Sequence, residues 1–137
     1  TGRNTREWVA VEDHCRAIEL LAIADGVEGE VFNVGSGVEL SVWDLANRIL
    51  EQIGKPKSLA RLVEDRPGHV QRIALNWDKI RTRFGWEPQV DIESGLTATI
   101  EWYRQHEEWW RPIKSGEYKR FYQEQYAQRL HGQEEPR

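Results

Sequence analysis

Apolar residues return at helical spacing along several stretches of the chain and crowd into short runs between them. Ala17, Ile18, Leu21 and Ala24 share one face, with Leu20 flanking and Gly26 as a natural stop, which predicts a helix over about residues 12–25. Trp8-Val9-Ala10-Val11 ahead of it reads as a short strand or extended approach. Glu12 and Asp13 place negative charge at the helix N-terminus, where free N–H groups favour it. Glu30-Val31-Phe32-Asn33-Val34-Gly35 is the clearest strand, apolar enough from Val31 to Val34 to be buried between neighbours. Ser41 with Asp44 three residues on resembles a capping box, and Val42, Leu45, Ile49 and Ile53 then form a helical face closed by Gly54 and Pro56.

Beyond that helix, Leu62-Val63 and Ile73-Ala74-Leu75 read as short strands on either side of a turn at Pro67-Gly68. Asn76 caps a short helix through Ile80 and Phe84, which Gly85 ends. Asp91 or Glu93 opens another, with Ile92, Leu96, Ile100 and Tyr103 on one face and Trp102 beside it. Trp109-Trp110 falls at an expected break near Pro112. Tyr118, Phe121, Tyr122 and Tyr126 make 116–130 helix-like, while 131–137 reads as a disordered tail. The expectation is an α/β unit over residues 1–130, mostly helical, with too few strands to close a parallel sheet by itself.

With 137 residues the chain has the size of one domain, and a net charge of −4 with acids and bases interspersed argues against a nucleic-acid binder. No apolar run reaches the length of a membrane span and no signal peptide opens the chain, so neither a membrane nor a secretory route is expected. The single cysteine, Cys15, suits a reducing cytoplasm and reads as a small buried residue. The chain holds no methionine and opens on Thr1-Gly2-Arg3-Asn4, which points to a piece of a longer polypeptide.

Candidate chemistry concentrates in Glu64-Asp65-Arg66-Pro67-Gly68-His69-Val70-Gln71-Arg72. A guanidinium fork matches phosphate or carboxylate geometry, so Arg66 and Arg72 are candidate anion clamps, with a surface ion pair at an ordinary turn as the plain alternative. The passage Gly35-Ser36-Gly37 into the Ser41 helix resembles a phosphate cradle but lacks both the G-x-G-x-x-G spacing and a following Lys-Ser/Thr. It reads equally as a glycine-permitted turn. His14, His69, His106 and His131 are scattered, so no metal site is expected, and adjacent His14 and Cys15 would not face each other on a helix. The seven tryptophans fit a buried aromatic cluster, with Trp109-Trp110 as a candidate packing surface.

In order, these blocks resemble a known family. Arg6-Glu7-Trp8-Val9-Ala10-Val11-Glu12-Asp13-His14 is similar to the R-(D/E)-W-x-x-V-E-D-H passage of the extended short-chain dehydrogenase/reductases that act on nucleotide sugars. Gly29-Glu30-Val31-Phe32-Asn33-Val34-Gly35 resembles their G-E-x-(Y/F)-N-(I/V)-G strand, and Asp65-Arg66-Pro67-Gly68-His69 with Arg72 their D-R-P-G-H-D-x-R block. Lys79-Ile80, Leu96 to Tyr103 and Lys114-Ser115-Gly116-Glu117-Tyr118 continue the order, and the dehydratase branch is the nearest pattern.

That resemblance implies the C-terminal, substrate-side part of a Rossmann-type protein, keeping one late strand of its sheet at about 30–35 and lacking the N-terminal NAD-binding half. Family members carry the glycine-rich NAD loop and a catalytic Tyr-x-x-x-Lys in that half, and no tyrosine here has lysine four residues on. No catalytic or cofactor-binding residue is therefore expected in this chain, and NAD would serve the whole enzyme. By position Arg6 and Arg66 match contacts to the diphosphate of a dTDP-sugar substrate, and Asp65, Pro67, Gly68 and His69 the rest of that loop. Ser41 stands where many members have asparagine, Ala10 where an aromatic is frequent, and Val70 where aspartate is usual. The implied partners are the absent Rossmann half and further copies in a homo-oligomer. The alternatives are a stand-alone nucleotide-sugar-binding or assembly module, or another NAD-dependent nucleotide-sugar epimerase or dehydratase.

Overall fold

The computed structural model describes residues 2–114, 116, 120, 122 and 123. The order is β1 (Thr5–Glu7), α1 (Val11–Ile23), β2 (Glu39–Ser41), α2 (Val42–Gln52), a 3-10 turn at Lys57–Leu59, β3 (Arg72–Ile73), α3 (Asp78–Phe84), α4 (Ile92–Gln105) and α5 (Glu107–Lys114). About half of the described residues are helical. The three strands form one small sheet in the order β2-β1-β3. β1 runs antiparallel to β2, with Thr5 opposite Ser41, and parallel to β3, with Thr5 opposite Arg72.

The helix caps follow local chemistry. Ser41 caps α2 by accepting from the Asp44 N–H at 3.0 Å, and its hydroxyl donates to the Asp44 carboxylate at 2.6 Å. Asp91 caps α4 through the N–H groups of Glu93 and Ser94, each at 3.0 Å. Asn76 accepts from the Asp78 N–H at 2.8 Å at the start of α3, which Gly85 ends.

The core lies where α1, α3 and the 30–34 segment meet. Ala17 and Ile80 are fully buried, Trp86 nearly so, and Leu20, Leu21, Phe32, Val34, Trp77 and Phe84 pack around them. Trp77 and Trp86 meet edge to face with centroids 5.8 Å apart. Leu50 of α2 and Leu96 of α4 are buried where those helices approach each other.

Several expectations need correction. Trp8–Ala10 form no strand, and the pairing lies just before them, at Thr5–Glu7; of the two readings the extended approach holds, with Ala10 extended and Val11 already in α1. Residues 30–35 carry no ladder, because no strand among the described residues lies beside them, and Val31 is 78% exposed while Phe32 and Val34 turn inward. Leu62-Val63 is likewise irregular, and of the Ile73–Leu75 run only Ile73 pairs, together with Arg72. Cys15 is exposed, since it lies on the outer side of α1, away from Asp13 and Ala17. The break falls at His106, and α5 runs on with Pro112 inside it. Of the 116–130 aromatics, Tyr118, Phe121 and Tyr126 lie outside the described residues, as does 131–137.

Candidate functional site

The Pro67-Gly68 turn is built as its residues require. The Arg66 carbonyl accepts from the His69 N–H at 3.2 Å, Pro67 takes the second position, and Gly68 takes a φ of 72°. That is a type II turn, whose third position is strained for any residue with a Cβ. It borders an open cleft of about 480 Å3 between the loop 60–66 and the start of α2. Val42, Trp43, Ala46, Leu62 and Val63 give the cleft an apolar wall, and Asn4, Glu64, Asp65, Arg66 and His69 line its polar side.

Arg66 is exposed and its guanidinium has no ion-pair partner among the described residues. Arg61 lines the same cleft in the same state, and the sequence reading missed it because it sits in a stretch without periodicity. Arg6, by contrast, is engaged. Its Nη1 donates to the Thr5 carbonyl at 2.6 Å, and its Nη2 to the Val70 carbonyl at 2.9 Å and to the ring Nε2 of His69 at 3.0 Å. The other ring nitrogen of His69 bonds the Asp65 carboxylate. That bond, aided by the Arg66 N–H at 3.0 Å, holds the Asp65 carboxyl below the usual carboxylate range despite partial burial.

The remaining site residues have defined places. Pro67 and Gly68 shape the turn and do not line the cleft. Ser41, one residue ahead of the wall residue Val42, commits its hydroxyl to the α2 cap. Arg72 is corrected as a free clamp: it pairs with Glu39 through two bonds of 2.7 and 2.6 Å. Asn4, also unforeseen, is buried and ties its amide to the Val70 carbonyl at 3.3 Å.

The glycine passage holds a carboxylate. Glu7 accepts from the Gly37 N–H and from the Leu75 N–H, both at 2.6 Å, and a Cβ at Gly35 would collide with that carboxylate. A negative group already sits on those donors, so the passage does not fit a nucleotide phosphate.

The fold matches part of an extended short-chain dehydrogenase/reductase of Rossmann type. The chain belongs to the GDP-mannose 4,6-dehydratase family, whose model matches residues 1–99. A dTDP-glucose 4,6-dehydratase of Streptomyces niveus is 46% identical over 114 residues, covering 83% of this chain and 34% of that protein. The structure of DesIV, a dTDP-glucose 4,6-dehydratase of Streptomyces venezuelae with NAD bound, matches with a TM-score of 0.76 at 42% identity, over 82% of this chain and 35% of that one. The dTDP-glucose 4,6-dehydratase of Bacillus anthracis in complex with NAD matches with a TM-score of 0.75 at 40% identity and the same coverage. The chain spans about a third of the length of these relatives. Among the described residues, no helix is long and apolar enough to cross a membrane.

Proposed function

We propose that this chain is the substrate-side part of an NAD-dependent dTDP-glucose 4,6-dehydratase and supplies its clamp for the sugar-nucleotide diphosphate. The observation that carries this reading is the Arg66 guanidinium, unpaired among the described residues, at a cleft with Trp43 and Val42 on its opposite wall. An exposed fork of N–H donors suits a diphosphate, and an apolar wall suits a nucleobase and ribose. Arg6 keeps its Nε–H and one Nη1 hydrogen for the same anion, while its other donors hold the loop.

The whole enzyme would convert dTDP-glucose to its 4-keto-6-deoxy product by oxidising C4, eliminating water across C5–C6 and returning hydride to C6. NAD would carry that hydride. The glycine passage at residues 35–37 does not fit the phosphates of NAD, because the Glu7 carboxylate occupies its donors. The chain itself, without a Tyr-x-x-x-Lys pair, is expected to bind and not to turn over. Residues 30–35, with Val31 bare, would join the Rossmann sheet of the whole protein, a cytoplasmic homo-oligomer.

Calorimetric titration with dTDP tests the clamp. Arg66→Ala should weaken binding by roughly 10- to 100-fold, the worth of one or two charge-assisted hydrogen bonds. Equal affinity of the two proteins would leave the cleft without a clamp and return the chain to an assembly role.

A further inference from the structure

The far end of α2 opens a second concave surface, away from Val42 and Trp43. Ile49 and Ile53 of α2, Leu96, Ile100 and Tyr103 of α4, and Trp110 of α5 line an open groove of about 470 Å3. Its walls are braced from behind. Arg48 and Gln52 of α2 both donate to the Glu93 carboxylate of α4, Gln52 at 3.2 Å. Trp110 gives its indole N–H to the Tyr103 carbonyl at 2.8 Å, which ties α5 to α4. Charges at the rim are balanced: Arg104 pairs with Glu101 at 3.6 Å, and Glu107 with Arg111 at 2.5 Å. An apolar floor inside a neutral rim suits an uncharged aromatic surface better than a charged peptide or a nucleic acid.

We propose that this groove is the docking site of the chain's own residues 117–130, seated as a helix on Tyr118, Phe121, Tyr122 and Tyr126. Those aromatics recur at i, i+3, i+4 and i+8, the spacing of a helical stripe laid into an apolar groove. The lengths agree. Tyr118 to Tyr126 covers about 12 Å along a helix, and Leu96 to Tyr103 about 10 Å along α4. The chain also arrives at the right place: α5 ends at Lys114, which lines the groove with its ammonium 5.1 Å from the centre of the Trp110 ring. A short connection, with Gly116 just past the end of α5, turns the next helix back beside the one it leaves. Tyrosine suits such a seat, because its ring fills an apolar floor while its hydroxyl stays at the polar rim. Tyr122 is helical and 48% exposed and does not itself line the groove, so docking buries it further. The seated segment would brace α2, α4 and α5 together, at the opposite end of α2 from the cleft at Trp43.

NMR on the full chain, with carbon-13 in the isoleucine methyls, reads the docking directly. Nuclear Overhauser contacts should join the rings of Phe121 and Tyr126 to the methyls of Ile49, Ile53 or Ile100. Phe121→Ser should abolish those contacts and speed amide exchange at Trp110 roughly tenfold, the effect of losing one buried aromatic ring. Arg120→Ser, on the face opposite the stripe, should do neither. Rings that touch none of these methyls, or exchange at Trp110 that is unchanged in Phe121→Ser, would overturn the proposal. Contacts that pass only between labelled and unlabelled copies in a mixed sample would overturn it too, and would give the groove to a second molecule.

Discussion

Asp13 shows how much one side chain can carry here. It sits in the first turn of α1 with no exposed surface, an unusual place for a carboxylate. Burial alone would raise its pKa. The Arg16 guanidinium and the N–H groups of Val90 and Gln89, at 3.0 and 3.1 Å, outweigh that and hold it below the ordinary carboxylate range. Asp13 therefore fastens α1 to the segment that leads into α4. A folded-state pKa below the unfolded one means that this stabilisation is complete above about pH 4 and fades as the pH falls through the lowered value. Asp13→Asn would place an amide against two backbone donors and break the ion pair. The expected cost is about 2–3 kcal/mol at pH 7 by urea unfolding, and the variant's stability should fall less steeply between pH 5 and 2 than the parent's.

At the scale of elements, what could be read from the sequence was what the sequence settles locally. The Ser41 cap, the Asp91 cap and the turn at Arg66 to His69 each depend on residues within three positions of one another, and all three form as expected. The sheet was not legible, because its strands are two or three residues long and paired across large separations, too short to show period-two alternation. The site was legible in part. The cleft cations were foreseen at Arg66, but the commitments of Arg6 to His69 and of Arg72 to Glu39 are set by distant backbone geometry. The glycine passage misled for the same reason: its donors face Glu7, 30 residues away from Gly37 in sequence. Gly35→Ala tests that bridge. The added methyl should push Glu7 aside at a cost of about 1–3 kcal/mol, read as faster amide exchange at Gly37 and Leu75 together; unaltered exchange at both would mean that Glu7 does not tie the segments.

Across the whole molecule, packing and site divide between two regions. The aromatic core gathers on α1, α3 and the 30–34 segment, whereas the cleft is lined by Gly2 and Asn4 ahead of β1, the start of α2, the loop 60–66 and His69. The helices are local structures, but the sheet and the bonds to the turn are not: His69 lies 63 residues from Arg6 along the chain, and Val70 lies 66 from Asn4. Contacts of that span require closing a long loop before they return any stabilisation, so they are expected to form late in folding. The cleft is then expected to be among the last features to assemble and the first to open. A nucleotide bridging Arg66 and the start of α2 should slow unfolding in stopped-flow denaturation in proportion to its occupancy and leave the refolding rate unchanged. The same short sheet that holds the residues flanking the cleft would thus make a bound nucleotide a brake on loss of the native state, acting on how long the fold lasts and not on how quickly it is reached.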